Sequence, residues 1–302
     1  MKRRNFIQKT SAATAFIGIG GLSSLSFKPN YKKHITILHT NDVHSHIEPF
    51  GSDDSRNPNM GGVARRATLI QQVRNENPNT LLLDAGDIFQ GTPYFNFYGG
   101  ELEFKLMSKM KYDAATIGNH DFDNGIDGLY AQLPHAEFDF ISSNYDFSNT
   151  VMNGQTHDHT VLTKDGVKIG IFGLGIELQG LVNEGLYKET KYLDPVEIAQ
   201  DQSRILKEEK NCDLVICLSH LGYKYSSDKV SDIKLAQATE NIDLIIGGHT
   251  HTFLDKPTIE TNKVGKKVLV NQVGCYGLYL GRIDFYLDDK NNIETNGLKI
   301  EV

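Results

Sequence analysis

Short apolar runs recur along the chain, and each ends in a group of polar residues. HITILHT (34–40), TLLLDAG (80–86), DAATIG (113–118), FDFISSN (138–144), VKIGIFGL (167–174), DLVICLSH (213–220) and IDLIIGG (242–248) share this form. Apolar runs of that length, closed by turn residues, predict buried strands. Between them, helix-like stretches cover 62–74, 101–110, 194–209 and 230–239. Asp194 reads as an N-cap with Pro195 at the first helical position. Residues 267–287 read as two or three further strands finishing a sheet. Strands alternating with helices predict an α/β or layered α+β domain. No linker interrupts 31–302, so one domain is expected there.

The first residues follow a different pattern. Lys2, Arg3 and Arg4 precede SAATAFIGIGGLSSLSF (11–27), a short apolar stretch rich in Gly and Ser. A charged start, a modest apolar segment and small residues near a cleavage point read as an export signal over 1–27. KRRNFIQK is similar to the twin-arginine pattern, which addresses a protein to a periplasmic or otherwise exported location. A membrane anchor is the alternative, and the stretch is short for a full span.

Composition adds exclusions. The 302 residues are 39% hydrophobic and 23% charged, as in ordinary globular proteins, with a formal charge of −7. Without the four basic residues of 1–26, the chain carries 27 basic and 38 acidic residues, a net of −11. That balance argues against a nucleic-acid polymer as partner. Small anionic substrates stay open, because metal ions can supply local positive charge. Cys212, Cys217 and Cys275 make neither a disulfide framework nor a zinc-finger spacing and read as buried thiols. Any metal must then be held by oxygen and nitrogen.

Residues able to hold a metal gather just after the apolar runs. HTNDVHSH brings Asp42 and His44, DAGD brings Asp84 and Asp87, and GNHDFD brings Asn119, His120, Asp121 and Asp123. LSHLG adds His220, and GGHTH adds His249 and His251. Asp and Asn after a strand are common turn residues, and a single His is more often surface or core. Five such clusters, all following strands, are better explained by one site along a sheet edge. In extended backbone, residues two apart point the same way, so Asp42/His44 and His249/His251 read as two-ligand prongs. Asp42, His44, Asp87, Asn119, His220, His249 and His251 offer seven donor side chains, which exceed one four-coordinate ion and suit two ions sharing a carboxylate. Carboxylate, amide and imidazole ligands without thiolate suit zinc, manganese, iron or cobalt. Paired ions of this kind form a clamp for displacement at phosphorus, which points to hydrolysis of an anionic ester.

Taken together, ILHTNDVHSH, LLLDAGDIFQGTPYF, YDAATIGNHDFDNG, LVICLSHLG and IIGGHTH resemble the calcineurin-like metallophosphoesterase superfamily. More closely, the chain resembles the catalytic, N-terminal domain of the bacterial 5′-nucleotidase / UDP-sugar hydrolase family over about 32–287. The resemblance implies a four-layer α/β/β/α metallophosphatase sandwich, two mixed sheets flanked by helices, within 32–302. It implies two divalent metal ions: Asp42, His44 and His251 on one, Asn119, His220 and His249 on the other, and Asp87 bridging. His120 then faces the transferring phosphoryl group or protonates the leaving oxygen, and Asp123 orients it. Asn119 and His120 thereby also contact substrate. The expected activity is cleavage of phosphate monoesters, 5′-nucleotides foremost, by attack of a metal-bridging hydroxide.

Alternatives are an exported phosphodiesterase acting on UDP-sugars or 2′,3′-cyclic nucleotides, a SoxB-like sulfur-ester hydrolase, and a non-catalytic metal-binding partner module. Full-length relatives add a C-terminal specificity domain. It is expected to be absent here or supplied by a separately encoded partner, with weak discrimination among nucleobases. No stable membrane span is expected after signal removal.

Other polar residues receive duller expectations. Asp121, where relatives often carry Glu, reads as a structural turn residue. Asp84 reads as bonding the loop that aims Asp87. His46 is left between a place behind the ligands and the surface. His135, His157 and His159 read as surface, Arg65 and Arg66 as solvated on a helix, and Tyr94 and Phe95 as core packing or cleft mouth.

Overall fold

The computed structural model describes residues 31–288 and 292–302; the expected export signal lies outside them. In chain order its strands begin with β1 (Lys33–Thr40), β2 (Thr80–Asp84), β3 (Ala114–Ala115), β4 (Asp139–Phe140) and β5 (Tyr145–Asp146). Next come β6 (His159–Lys164), β7 (Val167–Leu174), β8 (Lys191–Tyr192), β9 (Leu214–Ser219) and β10 (Leu244–Gly247). The last are β11 (Thr258–Thr261), β12 (Lys267–Asn271), β13 (Tyr279–Leu287) and β14 (Ile293–Glu301). Two six-stranded sheets result, ordered β14-β13-β1-β2-β3-β4 and β11-β12-β10-β9-β7-β6, with β5 and β8 forming a small third. Both large sheets are mixed. In the first, β1, β2, β3 and β4 run parallel, β13 runs against them beside β1, and β14, antiparallel to β13, runs with them again. In the second, β7, β9, β10 and β12 run parallel and β6 and β11 antiparallel.

Side-chain alternation explains why the predicted strands read as unbroken apolar runs. Ile35, Ile37, Leu81 and Leu83 of the first sheet face Ile169, Ile171, Leu214, Ile216, Leu244 and Ile246 of the second, all buried. The alternate residues pack outward under helices. Leu38 and Leu82 meet Ile70 and Val73 of the helix Val63–Glu76 and Phe104 of the helix Glu101–Lys109. Phe172, Val215 and Ile245 meet Ala199 of the helix Pro195–Arg204 and Leu235 of the helix Asp232–Ala238. The central strands are buried on both faces, which keeps their sequences largely apolar. Each fully buried aliphatic side chain contributes about 1.5–3 kcal/mol at most. Helix, sheet, sheet, helix: four layers around three apolar cores.

Local differences from the sequence reading have local causes. The strand expected over 113–118 is only Ala114–Ala115, because Gly118 N–H turns to the Asp121 carboxylate instead of a neighbouring strand. The 194–209 helix starts as expected, with Asp194 accepting from Val196 and Glu197, but Ile205–Glu209 winds as a π-helix. Strands β6, β11 and β14 were not foreseen; their half-exposed, polar-rich sequences carry little apolar signal. For β6 a signal existed, since Asp165 and Gly166 are both left-handed (φ 49° and 71°) and close the β6–β7 hairpin.

Arg66, expected to be solvated, is buried. It shares the inward face of its helix with Ile70 and Val73, at spacings of four and seven, and helical phase overrides its charge. With Asp84 and Glu103 it lines a cavity of about 20 Å³. Arg65 is exposed, Phe95 is buried and Tyr94 is half-buried. His157 is exposed, while His135 and His159 are half-buried, His159 against Gln202. All three cysteines are buried and free. Among the described residues, no helix is long and apolar enough to cross a membrane.

Candidate metal centre

The parallel strands β1, β2 and β3 end on the same edge, and the loops that follow them carry Asp42, His44, Asp87 and Asn119–Asp123. Strands β9 and β10 of the second sheet end against that edge and bring His220, His249 and His251. The backbone ladder continues beyond the strands. Asp42 N–H donates to Gly86 O (2.9 Å), His44 N–H to Asp87 O (3.1 Å) and Ser45 N–H to Ile88 O (2.9 Å). Asn41 ties the first loop to the 273–274 segment, donating to Gly274 O (2.6 Å) and accepting from Val273 N–H (3.1 Å).

Two groups of ligand atoms converge. Asp42, His44 and His251 form one, and Asp87, His220 and His249 the other, each with its atoms within 4.8 Å of one another. In the first, His251 Nε2 lies 3.0 Å from His44 Nε2 and 3.4 Å from Asp42 Oδ1. Between the groups, Asp87 Oδ2 is 3.1 Å from His220 Nε2 and 3.8 Å from His44 Nε2. Asn119 Oδ1 sits 2.8 Å from His249 Nδ1. Beside them, His120 Nδ1–H donates to Asp123 Oδ2 (2.8 Å), and the His120 ring meets His44 edge-on at 5.2 Å. The nine residues given a metal or catalytic role by the resemblance thus lie in one cluster.

The backbone reaches this arrangement by an unforeseen route. Asp42, His44, Asp87, His249 and His251 all have positive φ, between 49° and 70°. The expected extended prongs are therefore not extended, and His249 and His251 go to different groups. Left-handed backbone rotates successive side chains apart, which an extended strand cannot do. Gly118 is required for close approach, since a Cβ there would lie 2.8 Å from His220 Cε1 and closer still to Asp87.

Neighbouring acceptors fix which ring nitrogens face inward. His220 Nδ1–H donates to Ala85 O (2.7 Å) and His44 Nδ1–H to Phe89 O (3.2 Å), leaving both Nε2 lone pairs toward the carboxylates. His220 Nε2 is buried and makes no well-formed hydrogen bond, its nearest acceptor being Asp87 Oδ2 at 3.1 Å. Burial disfavours charge on His220, yet Asp87 and then Asp42 prevail and push the ring up to about 10. The same contest, decided by Asp42, pushes His251 up to about 10. Burial, reinforced by His220, lowers His249 to about 4. Burial also opposes charge on Asp87, but His220 and His44 hold its carboxyl far below the usual range. Two carboxylates faced by several imidazole nitrogens make a donor set that suits cations. The residues fit a metal pair. His120 is raised as well, chiefly by its hydrogen bond to Asp123.

One residue is more important than the sequence suggested. Asp121 is buried and accepts four backbone N–H bonds: Gly118 (2.8 Å), Ile88 (2.9 Å), Asp87 (3.1 Å) and Phe89 (3.1 Å). It is structural, as expected, but it clamps the Asp87 loop to the Asn119 loop. Asp84 does what was expected, accepting from Gly86 N–H (2.9 Å). His46 is half-buried behind His44, stacked on Phe50 at 4.9 Å and against Tyr276 at 4.4 Å.

Comparison with known proteins agrees with this geometry. The trifunctional nucleotide phosphoesterase protein YfkN of Bacillus subtilis is 34% identical over 89% of the chain and 19% of its own length. The 5′-nucleotidase of Rattus norvegicus is 37% identical over 87% of the chain and 48% of its own length. A crystal structure of a 5′-nucleotidase precursor from Thermus thermophilus superposes with a TM-score of 0.82 at 34% identity, covering 89% of this chain and 55% of that one. The chain thus spans about half, or less, of the length of these relatives. The two-sheet architecture is the metallophosphatase fold of that structural neighbour. The calcineurin-like phosphoesterase profile matches residues 35–253, from the first buried strand to just past His251. That span holds every residue of the cluster, and the chain belongs to the calcineurin-like phosphoesterase family.

Proposed function

We propose that the chain is a metal-dependent phosphohydrolase that cleaves phosphate monoesters, with 5′-nucleotides as its substrate class. The observation that carries this is the position of Asp87 Oδ2, 3.1 Å from His220 Nε2 in one group and 3.8 Å from His44 Nε2 in the other. A carboxylate so placed suits two cations at once. Asp42, His44 and His251 would hold one divalent ion, Asn119, His220 and His249 the other, and Asp87 both. The mixed oxygen and nitrogen set suits zinc, manganese, iron or cobalt. Such a pair, when bound, supplies a water ionised near neutral pH and neutralises charge on the phosphoryl group.

The remaining chemistry belongs to the chain. Asp123 holds His120 through Nδ1, leaving its Nε2 to keep a proton against a phosphoryl oxygen or give it to the leaving oxygen. His120 N–H donates to Asp87 Oδ1 (2.8 Å), which ties the proton carrier to the shared carboxylate. Asn119, next in the same loop, would contact both metal and substrate.

Nucleotides are favoured because YfkN is named a nucleotide phosphoesterase and the rat relative a 5′-nucleotidase. The chain covers only part of those proteins, so sharp selection among bases is not carried over. KRRNFIQK supports export by the twin-arginine route, which exchanging Arg3 and Arg4 for Lys and fractionating cells would test.

The decisive experiment measures metal content and phosphate release together. The purified chain, loaded in turn with each of the four metals, is offered 5′-nucleotides, UDP-glucose, 2′,3′-cyclic AMP and a thiosulfate ester. Two ions per chain with phosphate release from the monoesters is expected. Preference for a diester or the sulfur ester would transfer the reading to those chemistries. Full metal loading with no turnover of any ester would leave a metal-binding module instead.

A further inference from the structure

Beside His251 the surface opens into a hollow of about 330 Å³, at the small end of the range for ligand pockets. Phe50, Phe253 and Tyr276 line it, with Arg56 exposed at its rim. Large aromatic side chains are normally covered, yet Phe253 is 46% exposed. Its exposure is not looseness. Gly274 N–H donates to Thr252 O (2.9 Å), Leu254 N–H donates to Gln272 O (3.1 Å), and Phe253 bridges Val273. The Phe253 ring lies so close over Gly274 (φ 77°) that any Cβ there would collide with it.

Tyr276 is held just as firmly. Its N–H donates to Asp42 O (2.7 Å), its backbone is left-handed (φ 62°), and its ring packs between His46 at 4.4 Å and His251 at 5.8 Å. The same ring is 5.9 Å from His44, whose ring also meets His251 at 5.0 Å and His120 at 5.2 Å. A group leaving a phosphate held at the metal-ligand cluster therefore has an aromatic wall within reach past His251.

We propose that this hollow is the leaving-group subsite, and that it selects esters whose leaving group carries a flat aromatic ring. The inference rests on the phosphohydrolase reading and adds its specificity. Stacking tolerates every base, because each has a π face, so the subsite favours aromatic over alkyl esters without choosing among bases. Removing one wall ring should lower binding of the aromatic ester about tenfold, within the range of base–aromatic stacking.

The test compares kcat/KM for 5′-AMP, 5′-CMP and glycerol phosphate in the metal-loaded chain. Wild type should favour both nucleotides over the alkyl ester. In Phe253→Ala the nucleotide-to-alkyl ratio should fall about tenfold for both bases, through KM rather than kcat. Phe253→Leu keeps the apolar bulk without the π face and should lose a similar factor. Phe97→Ala, at an 83% exposed ring outside the hollow, should leave the ratio unchanged. Turnover of all three esters with no aromatic preference, or a ratio unmoved in Phe253→Ala, would overturn this inference and leave the hydrolase intact. A wild type that releases phosphate from none of them would remove both.

Discussion

Replacing Asp121 with alanine tests whether the two loops carrying Asp87 and Asn119 depend on a single carboxylate. The substitution deletes the acceptor of four backbone N–H groups, on Gly118, Asp87, Ile88 and Phe89. Asp87, Ile88 and Phe89 are at most 2% exposed, so water does not readily replace the lost partner. A hydrogen bond to a charged group is worth about 1.5–3 kcal/mol, and stranding buried donors costs about 1–3 kcal/mol each. Four bonds to one group do not add in full, because the loops relax together. Desolvation offsets part of the gain, since burial and the charge on Asp87 push the Asp121 carboxyl up to about 7. A net loss of about 3 kcal/mol is expected, or about 6–12 °C in Tm for a domain of this size. Urea unfolding of the metal-free chain reads the loss as a fall in midpoint at constant slope. Metal affinity should weaken as well, about tenfold or more, because the clamp holds the backbone on either side of two candidate ligands. A loss below about 1 kcal/mol with metal content intact would show that the loops hold themselves, and that Asp121 is only a turn residue.

Other perturbations probe separate links. Gly118→Ala should fold but bind metal at least about tenfold more weakly by competition with a chelator, since the new Cβ meets His220 and Asp87. His120→Ala should lower kcat about 10²–10⁴-fold with metal content unchanged. Asp123→Asn should lower it less, and the double variant should be no worse than His120→Ala alone, as steady-state kinetics would show. Asp284 provides a pH test far from the cluster. Burial opposes its charge, but His34 (2.8 Å), Thr36 (2.6 Å) and Arg282 (2.9 Å) hold the carboxyl below its usual value. A depressed carboxyl contributes stability above its unfolded value, about 4, and loses it as pH falls through the folded one. Asp284→Asn should thus be less stable than the parent at pH 7, and the gap should narrow below about pH 4 in urea titrations.

What the sequence disclosed, and what it hid, follows from how each feature is encoded. Strands β1, β2, β7, β9 and β10 were readable because burial on both faces keeps most of each run apolar. The cluster was readable because donors recur in five places, after the runs that become β1, β2, β3, β9 and β10. Asp121 was underrated because its partners are backbone N–H groups, and nothing in a sequence marks which amides lack a partner. Arg66 reads as solvated by its charge, but its phase on the helix, shared with Ile70 and Val73, buries it. The aromatic hollow was invisible because Phe50, Phe253 and Tyr276 are distant in sequence and meet only through the 273–276 turn.

The backbone conformation of the ligands was hidden for a further reason, and that reason bears on function. Positive φ usually selects glycine or asparagine, yet here the positions are Asp42, His44, Asp87, His249 and His251. Each such residue costs about 1–2 kcal/mol in local conformation. The strain persists because the loops are pinned from several sides: by the ladder past β1 and β2, by Asn41, and by the Asp121 clamp. A glycine at any of the five would relax the backbone and lose a ligand. At these five positions the chain keeps a strained residue where a side chain must turn inward, and the two buried sheets supply the stability that offsets it. Local propensity and site geometry conflict here, at five of the seven residues proposed to hold the metals.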